Sequence, residues 1–134
     1  MGIHSVKRLI SIVDDDPLVR EGLISLMRSA GFATQAFASA EEFLSLAHRD
    51  DIACLILDIR LPGMSGLELQ SQLTATVSNH RTPVVFMTAR DDEATRQRAL
   101  KGGAVDFLRK PVRREALLNA VHSALQQNDG KMSG

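Results

Sequence analysis

The 134 residues include 16 basic and 16 acidic side chains, for a formal net charge of zero, and 44% of them are hydrophobic, which is the composition of one globular domain able to bury a core without disulfides or metal staples. Zero net charge sets up no field toward nucleic acid or membrane, so direct nucleic-acid binding by this segment is not expected, and no apolar run approaches the roughly 20 residues of a membrane span. With no Trp or Tyr, the chain also lacks the stacking platform of single-strand binders and flavin sites.

Arg8 to Val13 carries Leu-Ile-Ser-Ile-Val and stops abruptly at Asp14, Asp15 and Asp16, as a buried strand does on entering a polar loop. Met1 to Lys7, ahead of it, has no apolar stretch of signal-peptide length, so a cytoplasmic location is expected. Asp16 before Pro17 reads as a helix cap with proline at the first helical position. Val19, Leu23, Leu26, Met27 and Ala30 then recur on one helical face, and Gly31 stops the helix. Ala33 to Ala38 is short and weakly apolar, as an edge strand would be. Ser39 with Glu42 forms a capping box for a helix that buries Phe43, Leu44 and Ala47 and ends in His48 and Arg49.

Cys54 to Asp58 is an apolar run ending in a carboxylate, and Pro62 and Gly63 prevent strand or helix from continuing. Such a run fits a strand buried on both faces. Cys54, the single cysteine, reads there as a small buried hydrophobe and cannot form an internal disulfide. Ser65 with Glu68 makes a second capping box, and Leu69 and Leu73 point that helix inward. Pro83 opens Val84 to Met87, a strand that runs into Thr88. Asp91, Asp92 and Glu93 begin the next helix and Arg96, Arg98 and Lys101 lie toward its end, complementing its dipole. Only Ala94, Ala99 and Leu100 are available for its buried face, so its packing is thin, and Gly102 and Gly103 end it. Val105 to Arg109 is a last strand and Lys110-Pro111 a turn. Leu117, Leu118, Val121 and Leu125 form the inward face of a final helix, which gives a domain over 1–127 and a polar tail over 128–134. His4, His48, His80 and His122 lack metal-ligand spacing and read as surface or packing residues.

Strands alternating with helices imply an α/β fold, a five-stranded parallel sheet covered on both faces in the order 2-1-3-4-5. Ligands and chemistry in such sheets lie in the crevice beyond the carboxyl ends of the strands. Those ends carry Asp14 and Asp15, then Asp58, Thr88 and Lys110. Three crowded carboxylates repel one another and call for a cation. Hard oxygen ligands favour Mg²⁺, while a lysine and a hydroxyl opposite would bind phosphoryl oxygens. Asp58 is then placed to take up a phosphoryl group as an acyl phosphate.

Ile-Val-Asp-Asp-Asp-Pro-Leu-Val-Arg, Asp58 with Leu61, Pro62, Met64 and Gly66, Thr88-Ala89, and Gly103-Ala104 through Lys110-Pro111 together resemble the receiver domain of bacterial two-component response regulators, over residues 7 to 126. The resemblance implies a flavodoxin-like doubly wound fold, phosphorylation of Asp58 by a histidine kinase or phosphotransfer protein, and Mg²⁺ held by Asp14, Asp15, Asp58 and the backbone carbonyl of Arg60. It also implies switch roles for Thr88 and Phe107; the thin helix that begins near Asp91 and the lack of a hydroxyl on Phe107 suit a surface with two arrangements, with Phe107 turning inward on phosphorylation. Lys110 would pair with the phosphate and precede a cis proline bond. A homodimer or partner surface is implied across residues 93–109. Arg60 and Arg90 are bulky cations at variable positions flanking the site. Ala-Val-Asp-Phe-Leu around Phe107 is similar to the subgroup whose receivers precede a helix-turn-helix output domain, and the 134 residues hold no such domain.

Two other readings share parts of this pattern. A Mg²⁺-dependent phosphohydrolase of the haloacid dehalogenase type resembles the site but carries a second aspartate where this chain has Arg60, so it would lack its proton donor. A flavodoxin would bind its cofactor phosphate after the first strand, where Asp14 and Asp15 repel it. Within the receiver reading the chain is no turnover enzyme. It acts either alone, as a phosphorelay shuttle, or as the front part of a transcription factor, which the subgroup favours.

Overall fold

Five stretches pair in parallel in the computed structural model: β1 (Leu9–Val13), β2 (Ala33–Phe37), β3 (Ile52–Asp58), β4 (Val84–Thr88) and β5 (Asp106–Arg109), in the order β2-β1-β3-β4-β5. This is the order expected from sequence. Each parallel return needs a crossover, supplied in turn by α1 (Pro17–Ser29), α2 (Ala40–Leu46), α3 (Gly66–Ala75) and α4 (Glu93–Lys101), and α5 (Arg114–Met132) follows the last strand. The structure describes residues 8–47, 52–75, 82–90 and 92–132. Met1 to Lys7, His48, Arg49, His80 and Asp91 lie outside the described residues. The backbone of α5 stays helical through Met132, so part of the segment read as a polar tail continues that helix. No helix among the described residues is long and apolar enough to cross a membrane.

Side chains alternate across the pleat and so divide the core into two layers. Ile10, Ile12, Cys54, Ile56, Val85 and Met87 face one side, where Leu23 and Met27 of α1 and Leu117, Val121 and Leu125 of α5 cover them. Val13, Leu55, Leu57, Val84, Phe86 and Phe107 face the other, under Phe43 of α2, Leu69 of α3 and Ala99 of α4. β3 is buried at every position, as its unbroken apolar run required. Its Cys54 thiol has no access to solvent, and burial pushes its pKa up to about 12.

The local signals act where expected. Asp16 accepts the Leu18 N–H at 2.9 Å, and Gly31 ends α1 at φ +95°. Ser39 Oγ accepts the Glu42 N–H at 3.0 Å, while Glu42 returns to the Ala38 N–H, one residue further out than a reciprocal box. Ser65 and Glu68 exchange their bonds at 3.1 and 2.9 Å. Two apolar faces are narrower than expected. Ala30 is the exposed C-cap of α1, and on α4 Ala94 is exposed and Leu100 is 42% exposed, which leaves Ala99 as that helix's buried residue. A polar contact supplements this thin face. Gln70 of α3, itself buried, donates from Nε2 to the Ala99 carbonyl at 3.0 Å and lies against Gly102, where an added Cβ would stand 2.7 Å from its Oε1.

Strand register carries the end residues to one place. Val13 is level with Leu57, so the next residues, Asp14 and Asp58, emerge side by side. Asp58 is level with Met87, and Thr88 with Arg109, so Thr88 and Lys110 continue the same row. Gly66 closes the loop after β3 so tightly that a Cβ would run into the Asp58 carbonyl oxygen and stand 3.0 Å from Ile59 Cα. Gly22, inside α1, has nothing within 4 Å of the same atom. Gly22→Ala should therefore stabilise the protein by about 0.5–1 kcal/mol through helix propensity. Gly66→Ala should cost about 1–3 kcal/mol by forcing backbone apart, and opposite shifts in urea midpoint are the expected result.

Candidate functional site

Lys110 extends from the end of β5 across the crevice and donates to Asp14 Oδ2 at 2.7 Å and to Asp58 Oδ2 at 3.0 Å. Both carboxylates are almost wholly buried, and the ammonium side chain retains 19% exposure. The remaining oxygens are also held. Asp14 Oδ1 accepts the Asp16 N–H at 2.9 Å, and Asp58 Oδ1 accepts the Arg60 N–H at 3.1 Å. Asp15 is exposed, yet it offers a carboxylate oxygen that lies within 4.8 Å of those of Asp14 and Asp58. Each carboxylate oxygen has two lone pairs, so the bonded atoms keep capacity for a further partner.

The charges explain why this cluster is poised for a cation. Three carboxylates against one ammonium leave two negative charges, which a single divalent ion would neutralise. Burial raises the Asp58 pKa above its ordinary 3.8, and the hydrogen bond and charge of Lys110 oppose that rise without cancelling it. Burial also works against the Lys110 ammonium, but its bonds to Asp14 and Asp58 outweigh the loss of hydration and hold its pKa above 10.5. A set of hard oxygens with an exposed member and an adjoining ammonium fits Mg²⁺ sharing a phosphate. Asp14, Asp15 and Asp58 are the residues that would hold the ion.

The other expected residues are brought to the same end of the sheet but differ in posture. Thr88 is buried, and its hydroxyl donates to the Arg90 carbonyl at 2.9 Å while accepting the Arg90 N–H at 3.1 Å. Arg60 and Arg90 are both exposed. The Lys110–Pro111 bond is cis. Phe107 departs from expectation. It is already turned inward at 6% exposure, level with Phe86, with the Arg96 guanidinium 6.0 Å from its ring centroid. A phenyl ring without a hydroxyl has nothing to gain from water and fills the core here.

Sequence reasoning missed two residues. Arg20 of α1 reaches back to donate to the Asp14 carbonyl at 2.7 Å, and Glu41 of α2 accepts the Met64 N–H at 2.8 Å from the loop after Asp58. In the sequence, Arg20 was only the last residue of the Asp-Asp-Asp-Pro-Leu-Val-Arg run, and Glu41 only an acid in a helix's first turn.

Residues 10–122 match the family of the response regulator receiver domain, and the chain belongs to that family. Its members regulate as parts of two-component systems and are not turnover enzymes. Response regulator protein TodT of Pseudomonas putida is 44% identical over 118 residues, which cover 88% of this chain and 51% of that protein. Transcriptional regulatory protein FixJ of Azorhizobium caulinodans is 39% identical over 116 residues, 87% of this chain and 54% of that protein. The solved structure of response regulator StyR superposes with a TM-score of 0.85 at 47% identity, covering 96% of this chain and 64% of that one. The chain thus spans about half the length of the curated relatives it matches.

Because the folded Asp58 pKa is raised, its ionisation works against the fold. The native state is favoured by the proton below 3.8, and that advantage is lost as pH rises through the folded value. Asp58→Asn cannot ionise, so it should melt above the parent at pH 7. The difference should shrink as pH falls toward 3.8 in a series of thermal melts.

Proposed function

We propose that this chain is the receiver of a response regulator in which Asp58 accepts a phosphoryl group from a phosphohistidine on a sensor histidine kinase or phosphotransfer protein, in the cytoplasm. The observation that carries the reading is Lys110 bridging Asp14 and Asp58 at 2.7 and 3.0 Å with Asp15 in reach. An Asp58 carboxylate oxygen attacks phosphorus, the phosphorus–nitrogen bond breaks, and the imidazole leaves with that electron pair, so the product is an aspartyl phosphate. Mg²⁺ bound by Asp14, Asp15, Asp58 and the Arg60 carbonyl would supply charge screening and in-line alignment. Lys110, which already donates to Asp58, meets the incoming oxygens. Leu18, 78% exposed two residues beyond Asp16, offers an apolar contact for the donor at the mouth of the site.

The output follows from Thr88. Its hydroxyl closes a small turn on Arg90, and a phosphoryl oxygen would compete for that hydroxyl, release Arg90 and loosen the entry to α4. The face over residues 93–109 then changes and serves a partner or a second copy of the chain, with Phe107 as its fixed inner wall. Arg60 and Arg90 flank the aspartyl phosphate and set its lifetime. The name of FixJ, a transcriptional regulatory protein, supports transcriptional control as the output that this receiver serves. A phosphohydrolase is disfavoured by Arg60, which stands where that chemistry needs a proton donor.

Incubated with a small acyl phosphate and Mg²⁺, the protein should gain one phosphoryl group by intact mass and Asp58→Asn should gain none. Equal labelling of the two would refute the assignment. Mg²⁺ at ten times its Kd should also stabilise the fold by about 1.4 kcal/mol by mass action. Asp15→Asn should lose most of that gain in calorimetric melts.

A further inference from the structure

Two glutamates follow Ser39 at the start of α2, and they serve different ends. Glu42 turns back on its own helix cap. Glu41 reaches 23 residues along the chain, where its Oε2 accepts the Met64 N–H at 2.8 Å. The neighbouring Gly63 has φ +75°, and a Cβ built there would stand 2.6 Å from the same Oε2, so loop backbone lies directly against the carboxylate. The bond from Met64 is the main reason the Glu41 carboxyl is held below the usual range.

The loop that Glu41 grips is the one that leaves Asp58. At its base, Ile59 N–H donates to the Met87 carbonyl and Gly66 N–H to the Ile59 carbonyl, both at 2.9 Å. Arg60 N–H, one residue further, holds Asp58 Oδ1. Leu61 and Met64 pack on the core, and among the described residues the bond from Met64 N–H to Glu41 is the hydrogen bond that ties the span from Leu61 to Met64 to another element.

We infer that Glu41 is a positioning residue for the phosphoacceptor: by holding Met64 N–H and seating against Gly63 it fixes the arch over Asp58, and with it the Arg60 amide that orients Asp58 Oδ1. This rests on the reading that Asp58 takes the phosphoryl group. Glu41 never touches the reacting atoms. It acts as an acceptor of fixed reach, so glutamine, which keeps a carbonyl oxygen at the same distance without the charge, preserves the role, whereas alanine abolishes it. Without the clamp the arch samples more conformations, and Asp58 keeps its amide donor and its orientation only part of the time.

The test measures amide hydrogen exchange by NMR in the parent, Glu41→Ala, Glu41→Gln and Gly63→Ala, together with Mg²⁺ titration and the rate of labelling by a small acyl phosphate. In Glu41→Ala, exchange at Met64 should quicken about tenfold, the size expected for one lost hydrogen bond, and exchange at Arg60 should quicken with it. Mg²⁺ affinity and labelling rate should each fall by about threefold or more. Glu41→Gln should restore all four readouts, and Gly63→Ala should reproduce the alanine pattern with Glu41 intact. Unchanged Met64 exchange in Glu41→Ala would overturn the clamp. Faster Met64 exchange with Arg60 exchange, Mg²⁺ affinity and labelling all unchanged would overturn the positioning role. If the parent takes up no phosphoryl group, the proposed function fails, while exchange at Met64 and Arg60 still decides the fate of Glu41.

Discussion

One ammonium group holds two buried carboxylates together at the top of the sheet, and most of what is distinctive about this molecule depends on it. Asp14 and Asp58 emerge side by side because β1 and β3 are in register there. Without a cation between them that juxtaposition would favour either protonation or separation of the strands. Lys110 supplies the charge from a third strand, so β1, β3 and β5 are tied at the point where the sheet's own hydrogen bonds give out. The arrangement is incomplete by design of its charges. It holds enough positive charge to keep the carboxylates together and too little to neutralise them, which leaves the cluster receptive to a further cation and to the anionic group it would bring.

Much of this was legible because the signals are local. Apolar runs ending at Asp14, Asp58 and Thr88 mark strand ends directly, and the Ser39–Glu42 and Ser65–Glu68 pairs state where helices begin, since their partners lie three residues apart. Arg20 and Glu41 were illegible for the opposite reason. Both act through long flexible side chains on distant backbone, and nothing in residue type or spacing tells a surface glutamate that caps a loop 23 residues away from one that merely offsets a helix dipole. The posture of Phe107 was likewise undetermined. Period-two alternation says that a residue faces one side of a sheet, and not whether that side is already full.

α4 shows how a helix can be docked without an apolar stripe. Only Ala94, Ala99 and Leu100 were available in the sequence for its buried face, and of these only Ala99 is buried, while the helix is anchored near its end by the Gln70 amide on the Ala99 carbonyl. A buried amide has one geometry in which it is satisfied, so it fixes position more sharply than it adds stability. The opposite end of α4 rests on the Asp92 cap and adjoins the Thr88–Arg90 turn. The helix is thus held by polar contacts at both ends, Asp92 accepting from Ala94 and Thr95 at its start and Gln70 meeting Ala99 near its end.

Cys54 has no part in the chemistry, yet its position has a practical corollary. The thiol is sealed between β1 and the helices α1 and α5, and burial holds its pKa at about 12, so in the native state it is neither reachable nor ionised at neutral pH and does not attack a maleimide or a disulfide. Only an opening that exposes the central strand uncovers it. A thiol probe mixed with this protein therefore counts excursions of the central strand out of the fold, one molecule at a time, without a label having been engineered in.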